Sequence, residues 1–485
     1  MLYPVVFTLM VAARALAQVP PMAVVTNGTV QGIRCSNADA NAFLGVPYAR
    51  APIGDLRFAA PAPYNKKYDG TLIATNPSPS CVQFSRYFGT GGAGVGTEDC
   101  LFLDIYAPTS ATISSFLPVK LWLYGGSNHV GSVSDDLYNG CPAAAAGDAI
   151  IVAANYRLGP LGFLVIPDTN ITGNQALQDQ LLAARWVRDN IVAFGGDRER
   201  ILLFGQSAGA RDTAVLATLP ASGGLLAAAA MESGGFGKDI PRAVDRTGPH
   251  ARWARDVGCA ARDVGCLRAA PMDVLVAAAR NVSSAGWGPV VDGTMVTQQP
   301  AAAGLAVPAI VGVTTAETAN GLLERVGGPG VMARLDGTVY NEFLQQMFRG
   351  QAGAVNASYS LARFYTNTSM LYGADADAAR GAAVFRAIVR IQTEREYLCP
   401  LQKGLRAEAA RGGRSPGVWG YVWDQAPGCA WLGGMDADTA RVLGPAHSSE
   451  IPYVFGEVAA LPPGGLGNCG FDDGDRNISR ALERS

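Results

Sequence analysis

Four short runs in this 485-residue chain are apolar at almost every position: Val119-Lys120-Leu121-Trp122-Leu123, Ala149-Ile150-Ile151-Val152-Ala153, Ile201-Leu202-Leu203-Phe204 and Ala309-Ile310-Val311-Gly312-Val313. A strand with one face in water alternates apolar and polar residues, so a run that does not alternate is covered on both faces. Between the second and third runs, residues 175–194 (QALQDQLLAARWVRDNIVAF) place Leu177, Leu181, Leu182, Ala184, Trp186 and Ile191 broadly at helical spacing. That segment stops at Gly195-Gly196, where a helix terminator belongs. Buried strands alternating with helices predict an α/β fold with a central, mostly parallel sheet flanked by helices.

The third run leads into Gly205-Gln206-Ser207-Ala208-Gly209, and residues 210–219 contain neither Pro nor Gly. With 59 glycines in the chain, G-x-S-x-G alone is a weak signal. Its position between an apolar strand and a helix-compatible segment is the context the motif requires. Small residues at Gly205 and Gly209 allow a tight turn that holds Ser207 Oγ at the carboxyl edge of the sheet, near the first amides of the next helix. Ser207 therefore reads as a nucleophile rather than a serine that happens to lie between glycines.

A serine hydroxyl needs a base, and the base needs a group to orient it. The chain has three histidines, and in the order Ser, acid, His only His250 and His447 come after Ser207. His447 lies in GPAHSSEIPYVFG, a Gly/Pro-bounded loop, whereas His250 lies in RTGPHARWARD, which reads as a polar helical surface. His447 is the expected base, His250 a surface residue, and His129 a loop residue. For the acid, 40 Asp and Glu compete. Glu317 follows an apolar strand in VGVTTAETANG, with Asp292 and Asp424 left open beside it.

Composition narrows the partners. Net charge is −2 with no run of Lys or Arg, which argues against nucleic acid. Beyond the N-terminus no stretch approaches the ~20 apolar residues of a membrane span, so no stable membrane anchor is expected. Residues 1–17 read as a signal peptide cut before Gln18, and secretion follows. Sequons at Asn27, Asn170, Asn281, Asn356, Asn367 and Asn477 fit that reading, as surface sites if glycosylated. The nine cysteines form no C-x-x-C pair or His-linked pattern, so no metal is expected.

Read in order, FLGVPYARAPIGDLRF, EDCLFLDIYAP, LWLYGGSNHVGS, ANYRLGPLGFL, the segment GNQALQDQLLAARWVRDNIVAFGGDRERILLFGQSAGA, PVVDGTMV, VGVTTAET and HSSEIPYVFG resemble the type-B carboxylesterase/lipase family. That family includes the cholinesterases, and the likeness is strongest to secreted microbial and fungal carboxylesterases. The resemblance implies one α/β-hydrolase domain over residues 18–485. It also implies a serine ester hydrolase working through Ser207, His447 and Glu317 by way of an acyl-enzyme, without cofactor, on a small-molecule ester. It favours Glu317 over the competing acids. The family's oxyanion donors map to the backbone amides of Gly126, Ser127 and Ala208. Ser127 stands where a third glycine is usual, and its amide serves if the backbone there does not need the positive φ that glycine adopts cheaply.

The resemblance also implies disulfides Cys81–Cys100 and Cys259–Cys266, leaving Cys35, Cys141, Cys399, Cys429 and Cys469 open. Gly89-Thr90-Gly91-Gly92-Ala93-Gly94 matches G-x-G-x-x-G but follows no strand and opens no helix, so it is not a dinucleotide site. The loop holding it lacks the tryptophan with which cholinesterases hold choline, and it lacks an amphipathic lid. Gln206 stands where many relatives carry Glu, which argues against cationic substrates. Short-chain or soluble esters are therefore expected. The rival readings are a lipase or sterol esterase on long-chain esters, and a non-catalytic cholinesterase-like binding protein. Ser233 in MESGG matches a serine near the family's site; Asp292 and Gly293 match a structural motif. After Gly456 the likeness fades, and the C-terminus reads as shortened. Oligomeric state is not legible.

Overall fold

The structure, a computed structural model, describes residues 19–84, 94–282, 286–328, 334–365, 376–426, 442–456 and 473–484. The expected signal peptide, the loop from Gly89 to Ala93, Asn367, Cys429 and Cys469 lie outside these residues.

The described strands, in chain order, are β1 (Met22–Val25), β2 (Gly28–Gln31), β3 (Ile33–Arg34), β4 (Ala40–Pro47), β5 (Thr71–Ile73), β6 (Phe102–Pro108), β7 (Leu117–Leu123), β8 (Ile150–Ala154), β9 (Gly196–Gln206), β10 (Ala228–Glu232), β11 (Ala309–Thr314) and β12 (Val418–Trp423). β1, β2 and β5 form a small sheet, and the rest form one sheet in the order β12-β11-β10-β9-β7-β8-β6-β4-β3. From β12 through β8 every pairing is parallel, while β6, β4 and β3 close the far side antiparallel. Each apolar run of the sequence lies mainly within one of the parallel strands. β8 is buried at every position, as expected for a strand with helices over both faces.

Two helices set the site. Gln175–Asn190 buries eleven of its sixteen residues, among them Leu177, Leu181, Ala184 and Trp186. A 3-10 turn, Ile191–Phe194, follows it. Gly195, at φ 92°, then turns the chain into β9. The second helix, Ala208–Leu216, begins directly after Ser207. Under the sheet, Trp122 meets Phe204 at 4.8 Å and Phe455 at 5.1 Å between ring centroids, tying β7 and β9 to the segment that follows His447.

One charged pair lies inside this apolar frame. The Arg157 side chain donates from Nε and Nη2 to the two oxygens of Asp179, its backbone N–H donates to Asp179 Oδ2, and Nη1 donates to Ala59 O. Their side chains are 2% and 0% exposed, so each charge depends on the other for solvation.

Three disulfides are present among the described residues: Cys35–Cys141, Cys81–Cys100 and Cys259–Cys266. The first of these joins two cysteines that the sequence leaves open; Cys399 is exposed and has no disulfide partner among the described residues. No described helix is long and apolar enough to cross a membrane.

Two sequence expectations need correction. His250 sits on a helix, Ala243–Val257, but it is buried. Its ring stacks on Trp287 at 4.4 Å, and its Nδ1 accepts from Val165 N. Desolvation pulls its pKa down to about 4, so it is a neutral core residue at neutral pH. The sequon Asn27 is likewise buried, with Nδ2 donating to Tyr64 O and Lys66 O. Asn170, Asn281, Asn356 and Asn477 are exposed.

Removing one member of a buried pair strands the other charge, at a cost of about 3–5 kcal/mol. Asp179→Ala should therefore lower the unfolding free energy by that amount in chemical denaturation. A loss below about 1 kcal/mol, the size expected of an exposed pair, would contradict this account.

Candidate active site

At the end of β9 the chain turns into the helix Ala208–Leu216 with Ser207 at φ 58°, ψ −114°. A non-glycine residue held there is strained, and such strain persists only where its surroundings enforce it. Ser207 N donates to Glu232 O at 2.8 Å, and Ser207 O accepts from Arg211 N at 3.0 Å. Gly209 permits the turn, because a Cβ at that position would lie 2.0 Å from Leu123 O.

Facing this turn, the chain leaving β7 runs through Gly126 (φ 108°), Ser127 (φ 57°) and Asn128 (φ 59°). Gly126 O accepts from His129 N and Val130 N, which folds the loop back on itself. Ser127 thus adopts the positive φ that glycine would take more cheaply, so the condition set for its amide from sequence is not met; the serine bears the strain and keeps its N–H. Among the described residues, the backbone N–H groups of Gly126, Ser127 and Ala208 have no acceptor. The Ala208 amide also opens a helix, where unpaired N–H groups and the dipole favour negative charge.

Glu317 and His447 come from loops joined by the parallel bridge Ala316↔Ala446. His447 Nδ1 donates to Glu317 Oε2 at 2.5 Å, and the other carboxylate oxygen accepts from Thr314 N at 2.8 Å. Asn320 Nδ2 holds His447 O at 3.0 Å. The Glu317 side chain is fully buried and that of His447 is 15% exposed. Desolvation pulls the imidazole pKa down, but the charges of Glu317 and Glu450 and the Glu317 hydrogen bond outweigh it, and the net shift is upward.

The second imidazole nitrogen faces a group the sequence reading did not place there. Gln206 Nε2 donates to His447 Nε2 at 3.2 Å, so the ring carries its proton on Nδ1 and offers a lone pair at Nε2. Glu450 was also missed. It is buried three residues after His447 and accepts from Ser233 Oγ at 2.9 Å. Burial first, then the Glu317 charge, pushes its pKa up to about 7. Glu232 is buried beside it, and desolvation followed by the Glu450 charge raises its pKa as well. The available signal was a glutamate directly before an apolar run in SSEIPYVFG.

The alternative acids lie elsewhere. Asp424 is exposed and accepts from Thr315 Oγ1, and Asp292 caps the turn at Thr294 N and Val296 N. His129 closes the Gly126 turn. No group of His, Cys, Asp and Glu among the described residues is arranged to hold a metal ion.

The mixed sheet with flanking helices, and a serine at the strand-to-helix turn of β9, define an α/β-hydrolase fold. Residues 19–483 match the carboxylesterase family, and the chain belongs to it. It is 42% identical over 194 residues to a para-nitrobenzyl esterase of Bacillus subtilis (strain 168), covering 39% of each chain. To a cocaine esterase of Homo sapiens it is 38% identical over 216 residues, covering 43% of this chain and 38% of the relative. The matched stretches thus span about two fifths of those relatives' length. A fumonisin B1 esterase of Sphingopyxis macrogoltabida is 28% identical over 471 residues, which is 95% of this chain and 79% of the relative.

The left-handed conformation at Ser127 predicts an order of stability. An L-residue there costs about 1–2 kcal/mol, partly offset in a glycine variant by its extra unfolded-state entropy. Ser127→Gly should have a thermal midpoint at or above wild type, and Ser127→Val, β-branched, a clearly lower one. A Gly variant less stable than wild type would show that the serine side chain stabilises the loop by more than its backbone strain costs.

Proposed function

We propose that this protein hydrolyses carboxylic esters through an acyl-enzyme on Ser207. The observation that carries the reading is the 2.5 Å bond from His447 Nδ1 to the buried Glu317, which leaves the Nε2 lone pair at the same sheet edge as Ser207. In this mechanism Ser207 Oγ attacks the ester carbonyl and His447 Nε2 takes its proton. Glu317 orients the ring and stabilises its cation. The backbone amides of Gly126, Ser127 and Ala208 receive the oxyanion. The alcohol leaves with the proton, and water repeats the sequence to free the acid. Oγ must displace the Gln206 amide at Nε2; a neutral hydrogen bond of this kind is worth about 1 kcal/mol, so the exchange is cheap.

Short-chain or soluble esters are the proposed substrates. The para-nitrobenzyl, cocaine and fumonisin B1 esterases above support ester chemistry without selecting one ester. Secretion from residue 18 onward, in a single domain, is proposed with it, supported by the three disulfides, which persist in oxidising compartments.

Hydrolysis of p-nitrophenyl esters from acetate to palmitate should be greatest at short chains and fall to background in Ser207→Ala. A maximum at palmitate would move the reading to a lipase, and a wild type no faster than Ser207→Ala would end it.

The pH profile tests the base separately. His447 must be neutral to accept a proton, and its pKa lies above the usual 6.5. Activity should therefore be lost as pH falls, with the acid limb of kcat/KM centred above pH 6.5. A limb centred below that value would mean that the neighbouring carboxylates do not govern the imidazole.

A further inference from the structure

A small pocket opens in front of Ser207, between the carboxyl ends of β10 and β11 and the helical segment around Tyr397. Its volume of about 40 Å³ is room for about three water molecules, so only a short chain fits. Among its walls are Gly234, Phe236, Val311 and Val313, which are apolar or uncharged. Two walls are cationic: Arg211, one helical turn after the serine, and Lys238, whose Nζ stands 5.8 Å over the Tyr397 ring. Glu396 is the one carboxylate among the described residues of the lining.

Lys238 meets the Tyr397 ring and feels the Glu396 charge, and Arg211 feels the buried Asp212, but among the described residues neither cation is held in a salt bridge. Desolvation first, and then the Arg211 charge across the pocket they both line, lowers the Lys238 pKa, while the Glu396 charge works the other way. Two cations against one carboxylate leave the pocket positive. A guanidinium beside an ammonium suits a planar carboxylate, which accepts two parallel N–H bonds from an arginine.

The position of His447 fixes which half of the ester enters. The histidine must hand its proton to the departing alcohol, so the alcohol lies over the imidazole. His447 does not line this pocket, which leaves it to the acyl chain. We propose that the acyl group ends in a carboxylate, so that the substrate is a half-ester of a short dicarboxylic acid. In the reaction the bond from Ser207 Oγ to the acyl carbon forms as the ester C–O bond breaks. The alcohol departs with the serine's proton, and water then releases the dicarboxylate and restores the hydroxyl.

This inference rests on the esterase reading, and a matched pair of substrates separates the two. Monoethyl succinate and ethyl butyrate differ only in that a carboxylate replaces the terminal methyl. By pH-stat titration, kcat/KM for monoethyl succinate should exceed that for ethyl butyrate at least tenfold, and Lys238→Met and Arg211→Met should each cut that ratio at least tenfold. A ratio at or below one, a ratio unmoved by both variants, or a preference for carboxymethyl butyrate would overturn the proposal. If no ester is turned over, the esterase reading fails on its own. Calorimetric binding of succinate to Ser207→Ala then decides the pocket: binding that Lys238→Met abolishes upholds it, and no binding overturns it.

Discussion

The contact on which the site depends is the approach of the helix Ala208–Leu216 to the end of β7. A Cβ at Gly209 would stand 2.0 Å from Leu123 O and 2.6 Å from Tyr124 O, and one at Gly205 would stand 2.7 Å from Leu123 O. Only hydrogen fits between these backbones. That closeness seats Ser207 in its strained turn and sets the first turn of the helix against the end of β7, from which Gly126 and Ser127 follow. Buried apolar strands supply the rigid floor, and the two glycines let the nucleophile turn close down onto it.

Electrostatics behind the histidine follow from burial. Glu317, Glu450 and Glu232 are all buried in series, and like charges so close in a low-dielectric interior cannot all ionise cheaply. Glu317 bonds the imidazole directly. Glu450 and Glu232 each keep one carboxyl oxygen with no partner among the described residues, and their pKa values rise. Burial thus disfavours ionisation at the two outer carboxyls, while Glu317 is held against the imidazole by its hydrogen bond. On its other side the ring meets the uncharged Gln206, so the field on the imidazole is one-sided.

The sheet was legible because its parallel strands are covered on both faces and therefore do not alternate; the four apolar runs lie mainly in β7, β8, β9 and β11. The turn at Ser207 was legible because glycine, strand and helix signals are adjacent in sequence. What escaped reading depends on contacts between distant segments. The RTGPHARWARD stretch has a polar surround, yet one helical position in it turns His250 inward onto Trp287. Gln206 reads as a neighbour of the nucleophile, but its contact with His447 spans 241 positions. Arg211 and Lys238 carry no signal in the sequence and line one pocket only when β10 and the helix after Ser207 are assembled.

The bond between Cys35 and Cys141 closes a loop of 106 residues, and a closure of that size is worth about 4.7 kcal/mol in the chain-entropy model. It fastens the end of the antiparallel edge at β3 to the start of the helix Cys141–Gly147. Fraying at that edge therefore has to draw on the helix as well as on β3. In a reducing compartment the crosslink opens, and the edge of the sheet is free to detach without first dismantling the centre. Oxidation thus determines whether unfolding at this edge stays local or must involve the helix packed beside it.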